Sequence, residues 1–76
     1  CGPCMYMTPI FEELAMKYRG KAIFGKLNVD ENSDVASRFA VYGIPTFIFF
    51  KNGVEVGRLV GAVGAAAIES ELAKHL

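Results

Sequence analysis

Ile44-Pro45-Thr46-Phe47-Ile48-Phe49-Phe50-Lys51-Asn52-Gly53 is the stretch that decides the fold. Phe47 to Phe50 is a run of large, strongly β-forming side chains, and Asn52-Gly53 supplies the dipeptide of a tight two-residue hairpin turn. Val54 to Val60 then returns as the antiparallel partner, with Gly57 marking a bulge. Beyond the hairpin, Gly61 and Gly64 bracket a short loop. Ala65 to Leu76 follows as a helix with Ile68, Leu72 and Leu76 on one stripe.

Upstream, Gly43 closes a short helix that Asn32 or Ser33 can cap and that runs through Ala40, with Val35 and Phe39 inward. Before it, Lys21 to Val29 reads as a strand. Ile23, Phe24 and Leu27 place apolar groups on both of its faces, which predicts a strand covered on both sides and parallel to its partner. The first helix carries Met7, Ile10, Phe11, Leu14 and Tyr18 at three- and four-residue spacing, a Glu13–Lys17 pair, and Gly20 as its C-terminal cap. Pro9 should kink this helix without breaking it. The order helix, strand, helix, hairpin, helix predicts one α/β domain over residues 1–76.

A chain of 76 residues makes a small core, and 53% apolar composition is enough to form one. Eight basic residues balance eight acidic ones, which leaves no electrostatic footprint for nucleic acid or an anionic membrane. No apolar run approaches the ~20 residues that span a bilayer. Both cysteines fall in one short motif and none remains for a structural bridge, a usage that fits a reducing compartment and predicts a soluble cytoplasmic protein.

That motif is Cys1-Gly2-Pro3-Cys4, at a helix start. Unsatisfied N–H groups and the positive end of the helix dipole favour a thiolate there, and the thiolate is the form that attacks a disulfide. Cys1 is the candidate nucleophile, and Cys4, one turn further in, is the candidate resolving thiol. Gly2 permits the tight turn, and Pro3 sits in the first helical turn, where its missing N–H costs nothing. Two bland readings stand beside this one, an inert local disulfide and half a metal site. A structural zinc site usually takes four ligands, whereas the chain offers two thiols, one amine and a distant His75. A metal bridged between two copies keeps that reading open. His75 otherwise reads as a helix-end residue, the Met5, Met7 and Met16 set as packing, Tyr6 and Tyr42 as packing or rim residues, and Asp30 and Glu31 as loop acids.

As a set, Cys1-Gly2-Pro3-Cys4, Pro9, Lys26-Leu27-Asn28-Val29-Asp30, Gly43-Ile44-Pro45-Thr46, Phe50-Lys51-Asn52-Gly53 and Val60-Gly61-Ala62 resemble the thioredoxin family. The resemblance implies a cis Pro45 beside the cysteines. Ile44 would then offer its backbone to an extended substrate segment, and Gly61 would form another wall of the docking groove. It also implies reduction of protein disulfides without a cofactor. Electrons would come from a flavoprotein reductase that uses a nicotinamide.

Family members carry a strand, a helix and a further strand before the motif, and the second of those strands lies mid-sheet. Without it, the expectation is a truncated thioredoxin-like fold in which Lys21 to Val29 pairs directly with the Phe47 strand. That gives a small three-stranded mixed sheet flanked by three helices, in a monomer, with a strand-exchanged dimer as the other outcome. The family's buried carboxylate is lost with that strand. Lys26, its usual neighbour, should therefore lean to solvent or find a new acid, and exchange should be slower than in longer members. The alternative to a reductase is a non-catalytic interaction module whose open sheet edge pairs with another chain, or a metal-bridged dimer through the motif cysteines.

Overall fold

The computed structural model describes residues 2–76. Helix α1 spans Gly2–Lys17, α2 spans Ser33–Arg38, strands β1 and β2 span Thr46–Lys51 and Val54–Val60, and α3 spans Ala65–Ala73. Helix α1 runs without a break through Pro9. It ends where the Tyr18 carbonyl accepts the Lys21 and Ala22 N–H groups and Gly20 takes a φ of 86°. That is a left-handed conformation which costs glycine little.

β1 and β2 pair antiparallel, with Thr46 opposite Val60 and Lys51 opposite Val54. Asn52 and Gly53 both have positive φ, 54° and 80°, as a two-residue turn matched to strand twist requires. Phe49 faces Gly57 and Phe50 faces Glu55, so Val56 is the extra residue of a bulge beside Gly57. A Cβ at Gly57 would meet the Glu71 side chain of α3, whose flexible end would have to turn aside.

The core lies where α1, α3 and the hairpin meet. Met7, Leu14 and Ile68 are buried, and Ile10, Tyr18, Phe24, Phe47, Phe49, Leu59 and Val63 pack around them. Burying each large apolar side chain contributes about 1.5–3 kcal/mol. On the surface, Lys17 donates to Glu69 at 2.9 Å and ties α1 to α3. Arg58 ties β2 to the end of α2, donating to the Phe39 and Ala40 carbonyls at 2.7 and 3.2 Å while Glu55 holds its guanidinium. Those carbonyls lie just past Arg38, the last residue of α2, where the chain leaves the helix and acceptors lack internal partners. Phe39 stacks edge-on against Phe50 across the same junction, with ring centroids 5.6 Å apart.

Three expectations are corrected. Lys21 to Val29 is not a strand, and the sheet has two strands rather than three. Among the described residues no backbone hydrogen bond involves Ile23 to Leu27, and Ile23 is fully exposed at 101%. A strand exists only where a second backbone satisfies its N–H and C=O groups, and here an open groove separates this segment from β1. Phe24 anchors it, edge-on to Phe11 at 5.3 Å. Helix α3 stops at Ala73, short of the expected Leu76, which is exposed. Helix α2 stops at Arg38, before Ala40, whose φ of 54° cannot continue a helix. Asn32 holds the N-cap position of α2 without a side-chain cap bond; its amide instead donates to the Asn28 carbonyl at 2.9 Å.

Candidate functional site

Cys1 lies outside the described residues; the helix that follows it begins at the next residue, Gly2. Gly2 and Pro3 are exposed in the first turn of α1. Cys4 is half-buried and disulfide-bonded, so the structure shows it in its oxidised form. One turn on, the Thr8 hydroxyl donates to the Cys4 carbonyl at 3.1 Å. This is the i, i+4 back-bond open to a threonine inside a helix, and it fastens the motif turn to the turn below. Sequence reading passed over Thr8, although its spacing from Cys4 carried the signal.

The second element of the site is the entry to β1. The Ile44–Pro45 peptide is cis. The Pro45 carbonyl accepts the Gly61 N–H at 2.7 Å, and the Thr46 hydroxyl donates to the Gly43 carbonyl. These bonds bring Gly61, at the end of β2, against Pro45 at the start of β1. Gly61 has a φ of 97°, in the left-handed region that favours glycine, and a Cβ at Gly43 would press to 3.2 Å from Val60. Ile44, Val60 and Tyr42 are exposed apolar residues beside this junction, and Met5 and Tyr6 are exposed on α1.

Cys4, Ile44 and Pro45 line one groove of about 1290 Å³, whereas Gly61 reaches the site through its bond to Pro45. The groove continues between residues 21–30 and β1. Asp30 is the carboxylate among the residues that line it, and Asp30 is exposed on a turn where Asn28 Oδ1 accepts its N–H. Lys26 is half-exposed, 3.8 Å from Glu12 and 5.7 Å above the Phe11 ring. Its ammonium leans to solvent, with Glu12 as a surface neighbour.

The pKa shifts lie away from this groove junction. The Arg58 guanidinium hydrogen-bonded to Glu55 lowers that carboxyl, and bonds from Lys74 and His75 lower Glu71. His75 sits 3.4 Å from Glu71 at the end of α3, a helix-end role. Among the described residues no group of three or more His, Cys, Asp or Glu side chains is gathered as metal ligands would be.

The thioredoxin family profile matches residues 1–74. The chain is 46% identical to thioredoxin 2 of Chlorobaculum tepidum over 76 residues, all of this chain and 70% of that protein. It is likewise 46% identical to a Staphylococcus aureus thioredoxin, of which it covers 73%. Among solved structures, a Nicotiana alata thioredoxin superposes with a TM-score of 0.92 at 44% identity, over 99% of this chain and 64% of that one. A Fasciola hepatica thioredoxin gives 0.93 at 36% identity, over all of this chain and 71% of that one. Profile, identity and superposition agree over essentially the full 76 residues, and the chain belongs to the thioredoxin family.

Proposed function

We propose that the chain is a thiol–disulfide oxidoreductase that reduces protein disulfides by dithiol exchange, with Cys1 as nucleophile and Cys4 as resolving thiol. Membership of a family of thiol–disulfide oxidoreductases supplies the general class. The observation that carries the finer reading is the meeting of Cys4, Ile44 and Pro45 in one groove.

Cys1 directly precedes α1 in the sequence, and the unpaired N–H groups and positive dipole end at the start of a sixteen-residue helix favour the thiolate of a cysteine in that sequence position. The Cys1 thiolate attacks one sulfur of a substrate disulfide. The substrate S–S bond breaks, the leaving sulfur takes a proton, and a mixed disulfide holds substrate to Cys1. The Cys4 thiolate then attacks the Cys1 sulfur. The second substrate sulfur leaves as a thiol, and Cys1 and Cys4 end oxidised to a disulfide. The substrate has gained two electrons and two protons. A dithiol, or a flavoprotein reductase of the thioredoxin-reductase type, returns them. Gly2 and Pro3 shape the motif turn, while Ile44, Pro45 and Gly61 form the surface on which an extended substrate segment lies. No cofactor takes part in the exchange itself.

No described helix is long and apolar enough to cross a membrane. We place the protein in a reducing, cytoplasmic setting as a monomer; a Pisum sativum relative 41% identical to it is a chloroplastic thioredoxin. The open side of β1 also supports strand pairing with another chain.

The test is catalysed reduction of insulin disulfides by the 76-residue chain with dithiothreitol, beside Cys1→Ser and Cys4→Ser. Turnover above the reductant alone, abolished in Cys1→Ser, is expected, at a lower rate than a longer relative assayed in parallel. Turnover equal to reductant alone overturns the assignment.

A further inference from the structure

Strand β2 and the residue after it hold the segment that leads into Pro45 at both of its ends. Downstream, the Gly61 N–H donates to the Pro45 carbonyl at 2.7 Å. Upstream, the Arg58 guanidinium donates from Nη2 to the Phe39 carbonyl at 2.7 Å and from Nη1 to the Ala40 carbonyl at 3.2 Å. Between these fixed points run Val41 to Ile44, with Tyr42 and Ile44 exposed.

The upstream end is where a clasp is needed. Helix α2 closes in two nested hydrogen bonds, from the Val41 N–H to the Ala36 carbonyl at 2.8 Å and from the Ala40 N–H to the Ser37 carbonyl at 3.0 Å. This is the Schellman arrangement, and it puts Ala40 at the position that glycine ordinarily takes. Ala40 has a φ of 54°, a left-handed conformation that an alanine adopts at a cost glycine avoids. Among the described residues no backbone N–H donates to the Phe39 or Ala40 carbonyl. Arg58 supplies donors to both at once. Its fork is aimed beforehand, because Glu55 accepts from Nε at 2.9 Å and from Nη2 at 2.8 Å. A planar guanidinium held by a carboxylate has little freedom left to lose when it takes the two carbonyls.

We propose that Arg58 is a positioning residue for disulfide exchange. By pinning Phe39 and Ala40 it fixes the direction in which the chain leaves α2, and so sets where Tyr42 and the Ile44 backbone stand for an incoming protein substrate. Arg58 acts through this segment, so its effect falls on the affinity for a docked polypeptide rather than on the sulfur chemistry. That effect rests on the reductase reading given above; the clasp itself does not. When the docking conformation is only partly populated, apparent affinity falls by the populated fraction.

The test compares the parent chain, Arg58→Ala, and Arg58→Ala combined with Ala40→Gly. Amide exchange comes first and needs no turnover. The Val41 N–H should exchange about tenfold faster in Arg58→Ala, the equivalent of one charge-assisted hydrogen bond, while the β1–β2 ladder keeps its protection. Adding Ala40→Gly should bring Val41 back to within about threefold of the parent, because glycine holds the left-handed turn without a clasp. In turnover with dithiothreitol, Arg58→Ala should raise the KM for insulin about five- to tenfold with kcat within about twofold. The ratio of kcat/KM for insulin to that for a small aryl disulfide, dithiobis(nitrobenzoate), should fall by the same factor, because the small disulfide does not lie along the segment.

Should Arg58→Ala fail to fold, Arg58→Lys makes the same comparison, since a single ammonium cannot serve both carbonyls and Glu55 in the guanidinium's geometry. Unchanged Val41 exchange overturns the proposal, as does a double variant no better protected than Arg58→Ala. An unmoved KM, with turnover of both disulfides lowered alike, overturns it too, because that is the signature of a merely structural role. A parent chain without turnover fails the reductase reading instead, and amide exchange still decides the clasp.

Discussion

The hairpin and the 21–29 segment make an instructive pair. Both are apolar, β-forming stretches of similar length, and from composition alone both read as strands. Thr46–Lys51 became one because Asn52-Gly53 turns the chain back and delivers Val54–Val60 as its partner within two residues. Lys21 to Val29 has no such local partner, and it lies across an open groove from β1 with Ile23 in solvent. β-Propensity describes how well a side chain fits a pleated, half-buried surface, and it cannot create the neighbouring backbone that makes a strand. The two-stranded sheet follows from that.

The largest effect that would sharpen the contrast is in the hairpin core. Phe49 packs against the Met7, Leu14 and Ile68 cluster. Phe49→Ala should cost about 2–3 kcal/mol in urea unfolding, a large share of the ~4–11 kcal/mol available to a chain of this size. A loss under about 1 kcal/mol would mean that the hairpin is not the anchored half.

Next comes the turn itself. Gly53 has a φ of 80°, and Gly53→Val should cost about 1–3 kcal/mol because a β-branched residue is strained there. The loss should appear in the unfolding midpoint together with reduced exchange protection of β1 and β2. Unchanged protection would show that pairing does not depend on the local turn.

A smaller contribution is electrostatic. Glu55 and Glu71 have lowered pKa values because Arg58 hydrogen-bonds the first and Lys74 and His75 the second. A carboxylate whose folded pKa is depressed contributes stability that is fully present above its unfolded pKa and is lost as pH falls through the folded value. The hairpin's Glu55–Arg58 pair and the α3 pairs should therefore weaken below the ordinary carboxylate range. Both carboxylates are solvent-accessible, so the loss should be modest and further reduced by salt. Thermal midpoints of the parent and Glu55→Gln should converge as pH is lowered through that range; a gap that persists at low pH would point to packing instead.

The smallest effect is expected in the unpaired segment. Ile23→Ser removes an apolar side chain that is already in water, and the change in stability should fall within about 0.5 kcal/mol. A larger loss would show that residues 21–29 are part of the stabilising structure of the isolated chain.

These contrasts mark what was legible in the sequence. Motif helix, hairpin, turn and bulge were readable because each is specified by residues within a few positions of one another: Met7 to Tyr18, Asn52-Gly53, and Gly57 inside the returning strand. The fate of Lys21 to Val29 was not, because it depends on whether a distant backbone stands beside it. The same holds for Arg58. No local pattern announces that its guanidinium will reach the Phe39 and Ala40 carbonyls nineteen and eighteen positions away. In the site, the cysteine pair was read from spacing. Ile44, Pro45 and Gly61 came through family resemblance, and the structure then joined Gly61 to Pro45 through a 2.7 Å hydrogen bond. Lys26, expected to lean to solvent or find a new acid, is solvent-exposed with Glu12 at 3.8 Å.

The most direct measurement of the central claim is capture of the mixed disulfide. A Cys4→Ser chain, reduced and then mixed with insulin, should accumulate a covalent adduct. Peptide mapping by mass spectrometry should place its disulfide on Cys1, and dithiothreitol should release it. An absence of adduct under conditions where free cysteine reacts with insulin would contradict the assignment of Cys1 as nucleophile, and with it the account of this chain as a disulfide reductase.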